Sequence, residues 1–206
     1  SLEFERLTNA SGTTGGRIIT KNKLINKKTG QEEWSFTSDG LPPRSVAIIH
    51  CVGSRNKKYN EYCSRVCCMY SLKFAHLIIE KIPNVNVYEF YIDMRAFGKG
   101  YEEFAERIKH EGTFVVRGHT ASVNMENDQL IVKGEDIMHD RLVEFKVDMV
   151  VLAVGLIPAP GAEEISRILG ISRDSDGWFS ELDYNGNPTD TERGGIYVAG
   201  MCQGPK

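Results

Sequence analysis

Thiols dominate the chemistry that this 206-residue chain can offer. Of its five cysteines, Cys51, Cys63, Cys67 and Cys68 fall in one stretch, CVGSRNKKYNEYCSRVCC (51–68). Cys63 and Cys67 stand four apart, a spacing that puts both on one face of a helix. Cys68 is turned from Cys67 by about a hundred degrees, and Cys51 comes from the end of the preceding strand. Four thiolates from two converging elements suit a four-iron cluster, which takes one thiolate at each iron. Adjacent cysteines strain a single zinc site, which is usually built from Cys-x2–4-Cys pairs. A redox disulfide between Cys63 and Cys67 requires distortion of the helix. Cysteines that merely pack in the interior are the remaining reading. Charge favours the cluster: Arg55, Lys57, Lys58 and Arg65 lie in the same stretch, beside the positive end of a helix. Such surroundings favour thiolate over thiol and offset the roughly two negative charges of an oxidised four-thiolate cluster.

These thiols must be positioned by the elements around them. SVAIIH (45–50) is a short apolar, β-branched run that predicts a buried strand. A dinucleotide fold places Gly-x-Gly-x-x-Gly directly after such a strand, so that backbone amides at a helix N-terminus meet the pyrophosphate. Here the loop is HCVGSR (50–55) with Gly53 alone, and about eight residues intervene before the helix, which argues against a nicotinamide nucleotide at this loop. Val66, Tyr70, Phe74, Leu77 and Ile78 follow steps of three and four and predict a helix over 63–82. Pro83-Asn84 ends it, and 85–92 predicts a second strand. Tyr101–His110 predicts a shorter helix with Phe104 and Ile108 on one side, closed by Gly112.

From 113 to 154 the pattern turns to strands, with polar turns at Glu126-Asn127-Asp128 and Gly134-Glu135-Asp136. DMVVLAVG (148–155) predicts a return to a buried strand. The order β–α–β–α–meander–β predicts an α/β fold: a small doubly wound, Rossmann-like parallel sheet with an antiparallel β-meander. Pro158 and Pro160 mark a boundary, 162–169 predicts a short helix, and GIYVAG (195–200) predicts one more buried strand. Residues 1–41 are polar and glycine-rich and read as a linker or irregular extension with one short strand near 17–20. The expected organisation is therefore 1–41 as that extension, 42–155 as a nicotinamide-type domain carrying the cysteines, and 156–206 as an incomplete part of a flavin-type domain.

Composition excludes some classes. A net charge of −3 and a pI near 6.0 give no basic stripe for nucleic acid. No run approaches the roughly 18 apolar residues of a membrane span, and SLEFERLTNASG has no basic-then-apolar signal order. Cytoplasm is the default expectation, and in a reducing compartment clustered cysteines point to metal or redox chemistry.

HCVGSR and YCSRVCCMYSLKFA, followed by YIDMRAFGKGYEEF, VDMVVLAVGLIPAP and GIYVAGMCQGPK, closely resemble the A subunit of heterodisulfide reductase, from about residue 3 to 206. The cysteine segment and AFGKGYEEF are specific to that family, whereas VVLAVGLIP and GIYVAG are shared with thioredoxin-reductase-like flavoproteins. The resemblance implies an iron–sulfur flavoprotein of thioredoxin-reductase-like fold, with a nicotinamide-type domain nested in a flavin domain. It implies a [4Fe–4S] cluster on Cys51, Cys63, Cys67 and Cys68, close to the FAD of the intact protein. Gly155, Leu156 and Pro158 match the strand-end loop along the flavin, and Gly200, Met201, Gln203 and Gly204 match the turn that meets its ring or ribityl chain. Where many relatives carry an aspartate after that glycine, Met201-Cys202 stands here. Lys99 of AFGKGY is placed against the flavin or an acidic partner, or is a solvated loop lysine. Implied partners are the other heterodisulfide reductase subunits and an electron-donating hydrogenase or dehydrogenase.

Absence of any Gly-x-Gly-x-x-Gly leads to the expectation that the chain is a fragment lacking the first half of the flavin domain, with weak or no FAD binding and no turnover of its own. The expected role is electron transfer within an oxidoreductase complex, with no acid, base or nucleophile among its residues. Two rivals are a nicotinamide-dependent disulfide oxidoreductase using a cysteine pair, and a non-catalytic module stabilised by zinc or packed thiols. Other polar residues carry plainer readings. Asp93 sits where an acidic residue meets a ribose but reads as a surface or capping residue. His50 borders Cys51, as a donor to a cluster sulfur or a structural strand-end residue. His76, His110, His119 and His139 form no ligand spacing, and Cys202 has no sequence partner. Glu102-Glu103 and Glu163-Glu164 open helices, where negative charge suits the dipole.

Overall fold

The computed structural model describes residues 42–127 and 129–206, together with the backbone of two short strands, β1 (Asn22–Ile25) and β2 (Glu32–Ser35), which pair antiparallel. The strand expected near 17–20 lies outside the described residues. The chain divides into two compact units: one continues through Gly53 and resumes over Cys67–Val154, and the other joins Ser54–Val66 to Gly155–Lys206.

The first unit is built on a parallel sheet of β3 (Ser45–Val52), β4 (Asn86–Tyr91), β5 (Thr113–Arg117) and β9 (Met149–Val154), in the order β5-β4-β3-β9. Every residue of β3 from Val46 to Cys51 is buried, as befits a central strand covered on both faces. Val46 and Ile48 pack with Leu72 and Ala75 of α1 (Cys67–Lys81) and with Ala105 and Ile108 of α2 (Tyr101–His110). Ala47 and Ile49 alternate to the other face, where Phe90 and Val116 meet Leu130, Val132 and Val147 of an antiparallel meander. That meander is β6 (Thr120–Glu126), β7 (Gln129–Asp136) and β8 (Arg141–Val147). One face of the parallel sheet therefore carries helices and the other a second sheet.

Several details differ from the sequence expectation. The long helix begins at Cys67, not at 63. Arg65 is in the left-handed region (φ 58), and the Val66 N–H closes a tight turn onto the Ser64 carbonyl at 2.7 Å, so the helix cannot extend backwards through them. Its buried face is Cys67, Cys68, Ser71, Leu72 and Ala75 rather than the Tyr70–Phe74 stripe; Phe74 is 42% exposed and its ring meets that of Tyr70 tilted, 5.6 Å between centroids. Apart from Leu72, small side chains form the sheet-facing stripe. β7 runs through Gly134-Glu135-Asp136, and the turn falls at 137–140. Gly134 is needed inside the strand because a Cβ there would lie 2.8 Å from the His119 carbonyl oxygen, next to the register shift between Thr120 and Ser122.

In the second unit α3 (Ala162–Leu169) forms as expected, with Glu163 and Glu164 in its first turn. GIYVAG does not form a strand. Tyr197 makes only an isolated bridge to Asp190 and is 69% exposed, while Val198 alone of the run is buried, its N–H bonded to the Thr189 carbonyl. Among the described residues no neighbouring strand completes a ladder, so the run stops at that bridge and that hydrogen bond. Residues 54–66 are tied to 155–156 within this unit: the Leu156 N–H donates to Ser64 Oγ at 2.8 Å, and the Tyr62 hydroxyl donates to the Leu156 carbonyl at 2.8 Å.

Candidate functional site

The chain runs β3, β4, β5 to one side of the sheet and returns with β9 on the other side of β3. The carboxyl ends of β3 and β9 therefore form the topological switch point, where open α/β sheets bind their ligands. Cys51 sits there, at the end of β3, with φ 58, inside the register shift between Ile49 and Val52. A non-glycine residue in this conformation costs on the order of 1–3 kcal/mol and persists only where its surroundings hold it.

Cys51 packs with Cys67 and Ala153, and Tyr70 and Ile92 close over them. Cys67 and Cys68 open α1 and are almost fully buried, at 1% and 2% exposure. None of the five cysteines is in a disulfide. Hydrogen bonds from the Cys51 thiol first, then from the Cys68 thiol, outweigh burial and hold Cys67 far below the ordinary thiol range. The segment after β4 completes the enclosure: the Arg95 N–H donates to Cys68 Sγ at 3.4 Å, and the Asp93 carbonyl lies 3.7 Å from the same sulfur. The Tyr70 hydroxyl donates to the Val154 carbonyl at 2.8 Å. Burial and the negative charge of Cys67, Cys51 and Cys68 push that phenol well above its usual range.

Cys63 lies in the 54–66 segment of the second unit, where the Arg65 N–H donates to its sulfur at 3.4 Å. It is not on the helix, so the shared helical face expected for Cys63 and Cys67 does not exist. Among the described residues no group of three or more His, Cys, Asp or Glu side chains is arranged to hold one metal ion. A four-iron cluster makes a different demand, since each thiolate meets its own iron and the sulfurs need not converge on a point. Three buried cysteine sulfurs in one enclosure, with Cys67 held far below the ordinary thiol range, fit that donor set.

The other sequence candidates separate. Gly155 is packed so closely that a Cβ would lie 2.5 Å from Ser64 Oγ. Pro158 lies against Gly177. Gly200, Met201 and Cys202 belong to a short 3-10 turn, with the Cys202 thiol donating to the Ala199 carbonyl. Gln203 and Gly204 line a cavity of about 440 Å³ with Arg65, Tyr184 and Lys206, all in the second unit. Lys99 is exposed in the β4–α2 loop of the first unit. Asp93 pairs with Arg117 at 3.0 Å. His76 bonds to Glu111. Sequence reasoning missed the Arg95 amide and Glu89, a fully buried carboxyl on β4 whose Oε2 is 3.5 Å from His50 Nε2. Strand alternation was the available signal for Glu89, since it shares parity with the inward-facing Val87.

No protein-family model matches the chain. Curated relatives do. The second iron-sulfur A subunit of CoB–CoM heterodisulfide reductase from Methanopyrus kandleri is 45% identical over 210 residues, which is 100% of this chain and 30% of that protein. The A subunit of the H2:CoB–CoM heterodisulfide,ferredoxin reductase from Methanothermobacter thermautotrophicus is 43% identical over 209 residues, again 100% of this chain and 29% of the relative. The chain belongs to the family of heterodisulfide reductase A subunits. It spans about 30% of the length of the relatives it matches. Among solved structures, thioredoxin reductase of T. acidophilum shares the fold, with a TM-score of 0.51 over 79% of this chain and 45% of that one at 16% identity. In this segment of a heterodisulfide reductase A subunit Cys51, Cys67 and Cys68 thus stand at the switch point of a thioredoxin-reductase-like sheet. No helix among the described residues is long and apolar enough to cross a membrane.

Proposed function

We propose that this chain is an electron-transfer segment of a heterodisulfide reductase A subunit, part of an oxidoreductase, and that Cys51, Cys63, Cys67 and Cys68 hold a [4Fe–4S] cluster. The observation that carries this reading is the enclosure of Cys51, Cys67 and Cys68 at the carboxyl end of β3, where hydrogen bonds hold Cys67 far below the ordinary thiol range. The resemblance to the heterodisulfide reductase A subunits, rather than the helical spacing, supplies Cys63 as the fourth ligand. When bound, such a cluster supplies one-electron transfer at a potential set by charge, hydrogen bonds to sulfur and exposure. The chain's own residues meet those requirements. Cys67 and Cys68 exclude water by burial, the Arg95 amide donates to the Cys68 sulfur, and Tyr70 covers the site as a neutral phenol tied to Val154.

In the whole protein the site serves a nearby FAD, and the domain of 42–155 is a nicotinamide-type domain whose nucleotide loop has become a thiol loop. Residues 156–206 then form part of the flavin domain, with Gly155, Leu156, Pro158, Gly200, Met201, Gln203, Gly204 and Lys99 as its flavin contacts. The relatives' printed names refer to H2, formate or F420H2 and to ferredoxin. Partner subunits and an electron-donating hydrogenase or dehydrogenase are proposed on that footing, in the cytoplasm. The test is anaerobic assembly with iron and sulfide, followed by EPR of the reduced chain. A four-iron signal supports the reading, whereas stoichiometric zinc or an EPR-silent, iron-free chain contradicts it.

A further inference from the structure

Two buried polar side chains stand directly behind Cys51. His50 and Glu89 are both wholly enclosed, with His50 Nε2 3.5 Å from Glu89 Oε2. Among the described residues, neither ring nitrogen of His50 and neither carboxyl oxygen of Glu89 has a hydrogen-bond partner. They belong to neighbouring parallel strands whose register pairs Ile48 with Glu89 and Ile49 with Phe90. By alternation from Val46–Ile48 and from Val87, both side chains point to the helix face of the sheet. The His50 ring also leans on Tyr91, at 6.4 Å and 56°.

A polar pair at this depth costs desolvation that two apolar residues would avoid. Its place in the chain offers a reason. The β3–β9 register breaks between Ile49 and Val52, so His50 and Cys51 are the irregular residues, and Cys51 is the one with φ 58. Nothing in a regular strand would hold Cys51 there. Alongside the Cys51–Cys67 contact, its neighbour His50 can, with its side chain facing Glu89 of β4.

We infer that His50 and Glu89 are a positioning pair: Glu89 on β4 pins the His50 ring, and the pinned ring fixes the β3 irregularity that turns the Cys51 thiol towards Cys67. This rests on the reading of Cys51 and Cys67 as working thiols, and it is testable without any cluster. Phenylarsine oxide bridges two thiols only when they stand close together. The experiment uses the chain with Cys63→Ser, Cys68→Ser and Cys202→Ser, in which Cys51 and Cys67 alone remain, and measures arsenical capture by mass spectrometry across a concentration series.

That parent should bind one arsenical. Glu89→Met should weaken capture about tenfold, the equivalent of roughly 1.4 kcal/mol of relaxed strain at Cys51. Glu89→Gln, whose amide still offers His50 a partner, should restore capture to within about threefold of the parent, a rescue that a purely structural role in the core would not single out. Should Glu89→Met fail to fold by circular dichroism, Glu89→Asp, which draws the carboxyl away from His50 with little loss of volume, is expected to show the same weakening. Capture by Glu89→Met or Glu89→Asp as tight as the parent's overturns the inference, as does a parent that captures nothing, or a Glu89→Gln chain as weak as Glu89→Met. A wild-type chain that captures the arsenical yet assembles no cluster would count against the proposed function alone.

Discussion

At the scale of single residues, the thiols are shaped by what surrounds them more than by their spacing. Cys67 is held far below the ordinary thiol range because Cys51 and Cys68 donate to it, and the strained turn at Cys51 brings the first of those donors into place. Tyr70 separates structure from chemistry at the same site. Its hydroxyl ties α1 to the carboxyl end of β9 through the Val154 carbonyl. Tyr70→Phe should therefore lower stability by about 0.5–1.5 kcal/mol in urea denaturation while leaving iron content after assembly unchanged. Loss of iron in that variant would mean that the hydroxyl acts on the site itself. A different residue governs acid sensitivity. Burial pushes the Asp136 carboxyl up, but hydrogen bonds from His139 and Arg141 outweigh it and hold it below the ordinary carboxylate range. The folded state thus releases this proton more readily than the unfolded chain. Its contribution to stability is complete above the unfolded value near pH 4 and is lost as pH falls through the lower folded value. Asp136→Asn should lose less stability than wild type between about pH 5 and pH 3, read from urea midpoints at each pH. Parallel curves for the two proteins would contradict this.

At the scale of elements, β3, α2 and α3 were legible because each follows one clear rule: a continuous apolar run, or acidic first turns opening short helices. The start of α1 was not, because its cause lies far along the chain. Ser64 is held by the amide of Leu156, and Arg65 turns left-handed, so the helical spacing of Cys63 and Cys67 is a coincidence of sequence. The same contact predicts a sensitive position. A Cβ at Gly155 would press on Ser64 Oγ at 2.5 Å and Ser54 Cβ at 3.1 Å. Gly155→Ala should loosen the 54–66 segment, seen as faster proteolysis at Lys57 and Lys58, with the parallel sheet's amide protection retained. In the first unit, Leu72 is wholly buried between α1 and the sheet, and Leu72→Ala should cost about 2–5 kcal/mol. A cost under about 1 kcal/mol would show that the face of α1 is assigned wrongly. Glu89 stayed hidden in the sequence because a charged residue in an apolar strand reads as solvent-facing unless the alternation is followed from Val87.

At the scale of the whole molecule, one sheet does two jobs. Its helix-covered and meander-covered faces supply a core, and its switch point carries Cys51, Cys67 and Cys68 where a phosphate-binding loop would otherwise stand. The fold class was readable from element order, and the family from strings of residues spread over the chain. The GIYVAG run was misread because strand pattern alone does not supply a neighbour to pair with. The proposed flavin residues also imply an outcome at this scale: the chain by itself should bind FAD no tighter than about 1 mM, roughly 4.1 kcal/mol, by fluorescence titration. Micromolar binding would show that these residues suffice on their own.

The iron content of the chain after anaerobic assembly with iron and sulfide tests the four-thiolate site most directly. Wild type and Cys202→Ser should each hold about four irons per chain, and Cys51→Ser, Cys63→Ser, Cys67→Ser and Cys68→Ser should each lose the larger part of them. Wild type with no iron, or Cys67→Ser with as much iron as wild type, would contradict it.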